Sequence, residues 1–351
     1  MPAPQYRVAF ASCARIAYAD DFDHQPPCKL DTNDFNQPVW GQIAAQHRQQ
    51  KLDAMLLLGD QVYSDYHWYH GFGGGRPEGW APQLFHDLMY TMYQAQYDAV
   101  TGFKKLFMDL HAQKTQVGAI WDDHDFGYNN GSGLEPTFKD KLGSTKTLFE
   151  QFVATLSNPT GAYPAKPVSP TAVPATGIER ITNPIKLGND VEIVLLDGRF
   201  YRDVNADNNA ELLGLAQWNS LKEKLESWDS SKLLIVCLGS TYSVGGFFAD
   251  QSWANSKSGV PYAHFAAFTA LAKGKHIIFL CGDIHKNKFI DHGGFCEVIS
   301  SGAYLPGSRD QSRFGVLEIY ADKVEVKLFE GNAMQKKLNK TINRKTGSIQ
   351  P

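Results

Sequence analysis

Four apolar runs in this 351-residue chain each stop at an aspartate. Met55-Leu56-Leu57-Leu58 leads into Gly59-Asp60, with Tyr63 three residues on, and Val117-Gly118-Ala119-Ile120-Trp121 into Asp122-Asp123-His124-Asp125. Ile193-Val194-Leu195-Leu196 ends in Asp197, and Ile277-Ile278-Phe279-Leu280-Cys281 in Gly282-Asp283-Ile284-His285. Short apolar runs bounded by turn residues read as strands buried on both faces. A carboxylate just past such a strand lies at the carboxyl edge of a sheet, where α/β folds bind ligands. Acids and histidines gathered at one edge repel one another and lose hydration, and a polyvalent cation relieves both penalties. The pattern predicts a metal site.

The rest of the chain fits one α/β domain. Strands are expected over 6–10, 53–58, 191–196, 233–238 and 277–280, and helices over 39–50, 82–110, 136–156 and 262–273. Leu215, Trp218, Leu221, Leu225 and Trp228 share one stripe of a further amphipathic helix. Five prolines make 158–176 an irregular excursion. Short strands over 295–300, 314–320 and 324–329 close the chain, and the polar residues from 336 onward are expected to fray or pack loosely. Helices alternating with strands, then a β-rich end, predict two packed sheets flanked by helices.

Charge and cysteine content narrow the classes. With 43% hydrophobic and 20% charged residues and a net charge of -3, no basic stripe favours nucleic acid or an anionic membrane. The five cysteines are odd in number and form no Cys-x-x-Cys pair, against a disulfide framework or zinc knuckle. No signal peptide and no apolar run of about 18 residues is visible, so a cytoplasmic protein is expected, or a periplasmic or secreted one if the start shown is processed. Nothing fixes an oligomeric state.

Candidate ligands follow from donor chemistry. Asp60 can bridge two cations, and a Tyr63 phenolate is a hard anionic ligand suited to iron(III); equally, Asp60 can cap its turn while Tyr63 packs inward. Asp122, Asp123 and Asp125 around His124 call for a metal or raised pKa values, or form a salt-bridged loop, and His124 beside a metal can act as general acid. Asp283 and His285, two apart in an extended segment, point the same way. Cys13, in Ala11-Ser12-Cys13 after the first strand, is a soft ligand for iron or zinc, or a small core residue.

In order, Ala11-Ser12-Cys13, Gly59-Asp60-x-x-Tyr63, Asp122-Asp123-His124-Asp125 and Gly282-Asp283-Ile284-His285 resemble the metal-binding blocks of calcineurin-like metallophosphoesterases. Leu196-Asp197-Gly198-Arg199-Phe200-Tyr201-Arg202-Asp203 and Leu215-Ala216-Gln217-Trp218 are similar to elements of the alkaline phosphatase D (PhoD-like) branch. The resemblance covers about residues 10–329. It implies a four-layer α-β-β-α sandwich of two mixed sheets, a catalytic domain over 1–335 and a polar tail over 336–351. It implies phosphoester hydrolysis by metal-bound hydroxide at a binuclear or larger cluster, on a small phosphate ester. Cys13, Asp60, Tyr63, Asp123, Asp283 and His285 would be the ligands. Iron(III) would be one ion, and calcium, magnesium, manganese or zinc the other. Arg199 would grip phosphate, supported by Asp197 or paired with Asp197 or Asp203. Asp122, Asn129 and Asn130 would assist. Tyr66, His67, Trp68 and Trp80 are placed in a substrate lid or an aromatic cluster.

The sequence departs from the wider superfamily. Ala11 and Cys13 stand where an Asp-x-His is usual, Asp123 where an asparagine ligand is usual, and Asp283 where a histidine is usual. Rival readings are a phosphodiesterase or phospholipase D-like hydrolase on the same cluster, and a non-catalytic binding protein that keeps the fold.

Overall fold

The structure, a computed structural model, describes residues 2–16, 30–64, 80–203, 210–244, 252–256, 259–304 and 312–350. β1 (Tyr6–Ala11), β2 (Ala54–Leu58) and β3 (Gln116–Ile120) pair side by side in parallel. They are buried almost throughout, as strands covered on both faces must be. Next come β4 (Arg180–Leu187), β5 (Val191–Leu196), β6 (Leu233–Leu238), β7 (Ile277–Cys281), β8 (Asn287–Asp291) and β9 (Cys296–Ser300). They form a second sheet in the order β4-β5-β6-β7-β9-β8, with β5, β6, β7 and β9 parallel and an antiparallel strand at each edge. β10 (Arg313–Ile319), β11 (Lys323–Glu330), β12 (Ala333–Met334), β13 (Lys340–Asn343) and β14 (Ile349–Gln350) return to the first sheet. Its order is β14-β13-β11-β10-β1-β2-β3, and β12 pairs with β11.

The helices are α1 (Pro38–Gln49), α2 (Pro82–Asp98), α3 (Phe103–Ala112), α4 (Asp123–Phe126), α5 (Leu142–Ser157), α6 (Leu215–Glu226) and α7 (Phe265–Ala272). Alternation along β1 separates the layers. Val8 and Phe10 face the second sheet with Leu56, Leu58, Ile193, Leu195, Ile235 and Leu280. Ala9 and Ala11 turn the other way, against a core that includes Ile43, Phe103 and Phe152 of the helices. On the far side Val194, Val236 and Phe279 meet Leu221 of α6 and Phe268 of α7. The result is the expected four-layer α-β-β-α sandwich with two mixed sheets. No helix among the described residues is long and apolar enough to cross a membrane.

Several local expectations are corrected. The helix expected over 82–110 is two helices, broken before α3 by Gly102 at φ 81°. The helix expected from 136 starts at Leu142, because Pro136–Phe138 forms a separate 3-10 turn. Edge strands β4 and β8 carry part-exposed residues and no apolar run, so nothing in their pattern marked them. The tail does not fray. β13 pairs with β11, β14 pairs with β13, and Ile342 is buried. Arg344 Nη1 donates to Tyr320 O and its Nη2 pairs with Asp190. The expected boundary at 335 therefore falls inside the first sheet. Backbone pairing and two side-chain anchors hold a segment whose polar composition argued otherwise.

Candidate metal centre

Both parallel strand sets end at one place. Cys13 follows β1, Asp60 and Tyr63 follow β2, and residues 122–125 follow β3. From the second sheet come Asp197 and Arg199 after β5, Ser240 after β6, Asp283 and His285 after β7, and Ser301 after β9. Close approach of the backbones requires glycine here. Gly59 has φ +87°, and a Cβ on it would lie 2.4 Å from Asp122 Cβ. A Cβ on Gly282 would lie 2.3 Å from Leu58 O and 2.6 Å from Ser12 Oγ, which is how the second sheet meets the first. Cys13 N donates to Gly59 O (3.1 Å) and Ala14 N to Asp60 O (2.8 Å).

The donor atoms fall into two overlapping groups. Ligand atoms of Cys13, Asp60 and His285 lie within 4.8 Å of one another, and so do those of Asp60, Asp123 and His124. Asp60 belongs to both. Its Oδ2 is 3.2 Å from Cys13 Sγ, and its Oδ1 accepts from His124 N at 3.4 Å. Tyr63 Oη is 3.4 Å from His285 Nε2, and its ring stacks on His124 with centroids 4.1 Å apart. Asp283 approaches Cys13 through its carbonyl oxygen, 3.6 Å from Sγ. Its carboxylate is in neither group, although it acts on Cys13 and Arg199 through charge. Cys13 (φ 59°), Asp60 (57°), Asp283 (75°) and His285 (52°) all occupy the left-handed region without being glycine. Such strain persists only where the surroundings enforce it, and it clusters at functional sites.

Electrostatics favour a cation. Burial, then Cys13 and Asp123, push the Asp60 carboxyl well above the usual range. Burial raises the Tyr63 phenol, and it raises the Cys13 thiol to about 11. Burial, with His124 nearby, lowers His285 to about 4, so its imidazole is neutral and able to ligate near neutral pH. Asp123 goes the other way. Burial opposes its charge, but Arg199 and His124 hold it well below the usual range. Asp122 Oδ2 and Asp123 Oδ1 are buried without a hydrogen bond. A thiolate, carboxylates, a phenolate and imidazoles with buried oxygens to spare fit metal ions, which would reverse the penalties on Asp60, Cys13 and Tyr63.

The other candidates are sorted by their partners. Arg199 Nε donates to Asp122 Oδ1, and its Nη2 lies 3.5 Å from Asp123 Oδ1, so neither Asp197 nor Asp203 takes that ion pair. Asp197 accepts from Trp121 Nε1 (2.7 Å) and from the amides of Ile178, Arg199 and Phe200. It shapes the turn that carries Arg199. Asn130 donates its backbone amide to Asp123 Oδ2 (2.6 Å), and Asn129 is exposed beside it. Asp125 accepts from the amides of Gln61, Val62 and Asp122, tying the loop after β2 to the one after β3. Burial pushes its carboxyl up to about 7. Trp80 packs against the helix-side core, while Tyr66, His67 and Trp68 lie outside the described residues.

Sequence reasoning missed the serines and Arg202. Ser240 donates to Asp122 Oδ1 (2.9 Å) and accepts from Arg202 Nη2 (2.6 Å). Ser301 Oγ is 3.0 Å from Cys13 Sγ. Each serine follows a buried strand, so the rule that found the aspartates could have found them. Serine after a strand is too common to stand out.

A PhoD-like phosphatase family model matches residues 9–346. Among solved structures, a dimetal phosphatase from Danio rerio is similar over 98% of this chain and 100% of its own, at 12% identity and TM-score 0.55. GAP50, the anchor in the inner membrane complex of Plasmodium, is a weaker likeness: 11% identity, TM-score 0.47, over 96% of this chain and 89% of that one. No curated protein sequence matches the chain. The structural likeness speaks for the fold, and the family match takes in every donor from Cys13 to His285. The chain belongs to the PhoD-like phosphatase family, and is accordingly a hydrolytic phosphoesterase.

Proposed function

We propose that this phosphoesterase cleaves a small phosphate ester at a binuclear metal centre built around Asp60. The observation that carries this reading is the membership of Asp60 in both donor groups. Cys13, His285 and the neighbouring Tyr63 would hold one ion, for which iron(III) suits the phenolate and thiolate. Asp123 would hold the other, with calcium, magnesium, manganese and zinc as candidates, and Asp283 would complete the cluster. Ions held there polarise a phosphoryl oxygen and lower the pKa of water.

The chain's own residues then have distinct tasks. His124, stacked on Tyr63 and next to Asp60 and Asp123, protonates the leaving alkoxide. Arg199, held by Asp122 and Asp123, has a buried Nη1 with no hydrogen bond, left to meet a phosphoryl oxygen. Asp197 fixes the turn beneath Arg199, and Asp125 fixes the loops that present Asp60 and Asp123.

One observation favours a diester as the second reading. Two carboxylates already balance the charge of Arg199, leaving less for a doubly charged monoester. Metal analysis with a visible spectrum tests the centre. Two ions per chain and a tyrosinate-to-iron(III) band are expected; a colourless protein holding a single ion would overturn the proposal. Faster turnover of bis-p-nitrophenyl phosphate than of p-nitrophenyl phosphate would select the diester.

A further inference from the structure

We propose that Ser301 is a positioning residue of the centre, its hydroxyl donating to Cys13 Sγ, fixing the direction of that sulfur and drawing electron density from a metal–thiolate bond. The inference rests on the reading that Cys13 binds a metal ion.

The hydrogen-bond geometry sets the direction. A serine hydroxyl has one proton and two lone pairs. Ser301 Oγ accepts from His285 N at 2.8 Å, and it lies 3.0 Å from Cys13 Sγ with Ser301 fully buried. Its proton is therefore available to the sulfur. The other neighbours of Sγ are less suited. Ser12 Oγ is 3.5 Å away and donates its proton to Ser300 O. Asp60 Oδ2 and Asp283 O are acceptors. The Tyr63 phenol also bonds Cys13, but as a metal ligand it would carry no proton.

The backbone holds Ser301 in place independently of its side chain. Gly302 N and Ala303 N both donate to Ser12 O (3.2 and 2.9 Å). Tyr304 N donates to Cys13 O (3.1 Å), and Arg15 N to Tyr304 O (3.0 Å). One hydroxyl thus joins Cys13 of the first sheet to His285 of the second, touching two donors of the same group. Hydrogen bonds to a ligating sulfur tune its donor strength, and outer partners of ligands commonly change metal affinity about 10–100-fold.

The test uses cobalt(II) added to the metal-free full chain, read by the sulfur-to-cobalt charge-transfer band. In Ser301→Ala that band is expected at lower energy than in the wild type, with cobalt bound about tenfold more weakly. Ser301→Thr should restore both, and Ser12→Ala should leave the band energy unchanged. Ser301→Gly repeats the truncation if the alanine variant does not fold. A band at wild-type energy in the folded truncation variant would overturn the role of Ser301. No sulfur-to-cobalt band in the wild type would instead overturn Cys13 ligation itself.

Discussion

Arg199 closes on Asp122, 77 residues earlier in the chain, while the aspartate two residues before it accepts from an indole and backbone amides. Both side chains of the pair are 1% exposed. Removing one partner of a buried ion pair typically costs about 3–5 kcal/mol. Arg199→Ala should lose that much in denaturant unfolding. Arg199→Lys keeps the charge without the planar fork, and should fold better yet hydrolyse phosphate esters about 100-fold more slowly. Wild-type stability in the alanine variant would show that the pair contributes nothing.

Asp60 is the donor that both groups share. Asp60→Asn should lose both ions by elemental analysis. Compared without metal, this variant should melt no earlier than the wild type, because it removes a buried carboxylate that burial, Cys13 and Asp123 all disfavour. Chelation should lower the wild-type melting temperature and leave the variant unmoved, since ions at 100 times their Kd add about 2.7 kcal/mol. Two ions retained in the asparagine variant would exclude the shared ligand.

His124 lies beside the donor atoms of Asp60 and Asp123. As an acid, its loss should cost about 100–10,000-fold with an alkyl phosphate and far less with p-nitrophenyl phosphate, whose leaving group needs no proton. Metal content in His124→Ala should stay at the wild-type level. Equal losses on the two substrates, accompanied by loss of an ion, would make His124 a ligand instead.

Gly59 and Gly274 share a left-handed φ, +87° and +74°, in different surroundings. An alanine Cβ at Gly59 would meet Asp122 Cβ at 2.4 Å, whereas nothing lies within 4 Å at Gly274. Gly274→Ala should cost only the backbone strain, about 1–2 kcal/mol. Gly59→Ala should add the clash and cost at least about 2 kcal/mol more. Similar unfolding midpoints for the two variants would contradict the tight approach after β2.

Glu318 supplies a pH signature away from the centre. Burial opposes its charge, but Lys327, with Nζ at 2.6 Å, and Arg7 hold its carboxyl below the usual range. A depressed acid stabilises the fold above its unfolded pKa of about 4.3, and that contribution is lost as pH falls through the folded value. Glu318→Gln should be about 1 kcal/mol less stable than the wild type near neutrality, with the gap closing in acid. A constant gap in unfolding free energy across that acid range would rule out the ion pair as its source.

What could be read from the sequence follows burial. Strands covered on both faces are continuous apolar runs, so β2, β3, β5 and β7 announced themselves, and each with its aspartate. The aspartates then diverge for reasons no pattern carries. Asp60 and Asp123 join donor groups, Asp197 is filled by an indole and backbone amides, and Asp283 turns its carbonyl toward the sulfur. β4, β8, β13 and β14 are held by backbone pairing with neighbouring strands, which leaves little mark on side-chain periodicity. The contact of Ser301 with Cys13 depends on β9 lying beside β7, a fact of topology.

That same topology orders events during synthesis. β1 lies between β2 and β10, and Cys13 meets Ser301 across 288 residues of chain. At about 5–20 residues per second, a ribosome takes roughly 15–60 s to make that stretch. Until its end the thiol lacks the hydroxyl that will flank it, and the imidazole of His285 is made only 16 residues before that hydroxyl. The thiol is open to oxidants and to whichever soft metal arrives first. The donor group of Cys13, Asp60 and His285 is therefore complete only after nearly the whole chain has been made, because the first sheet cannot close until its late strands appear.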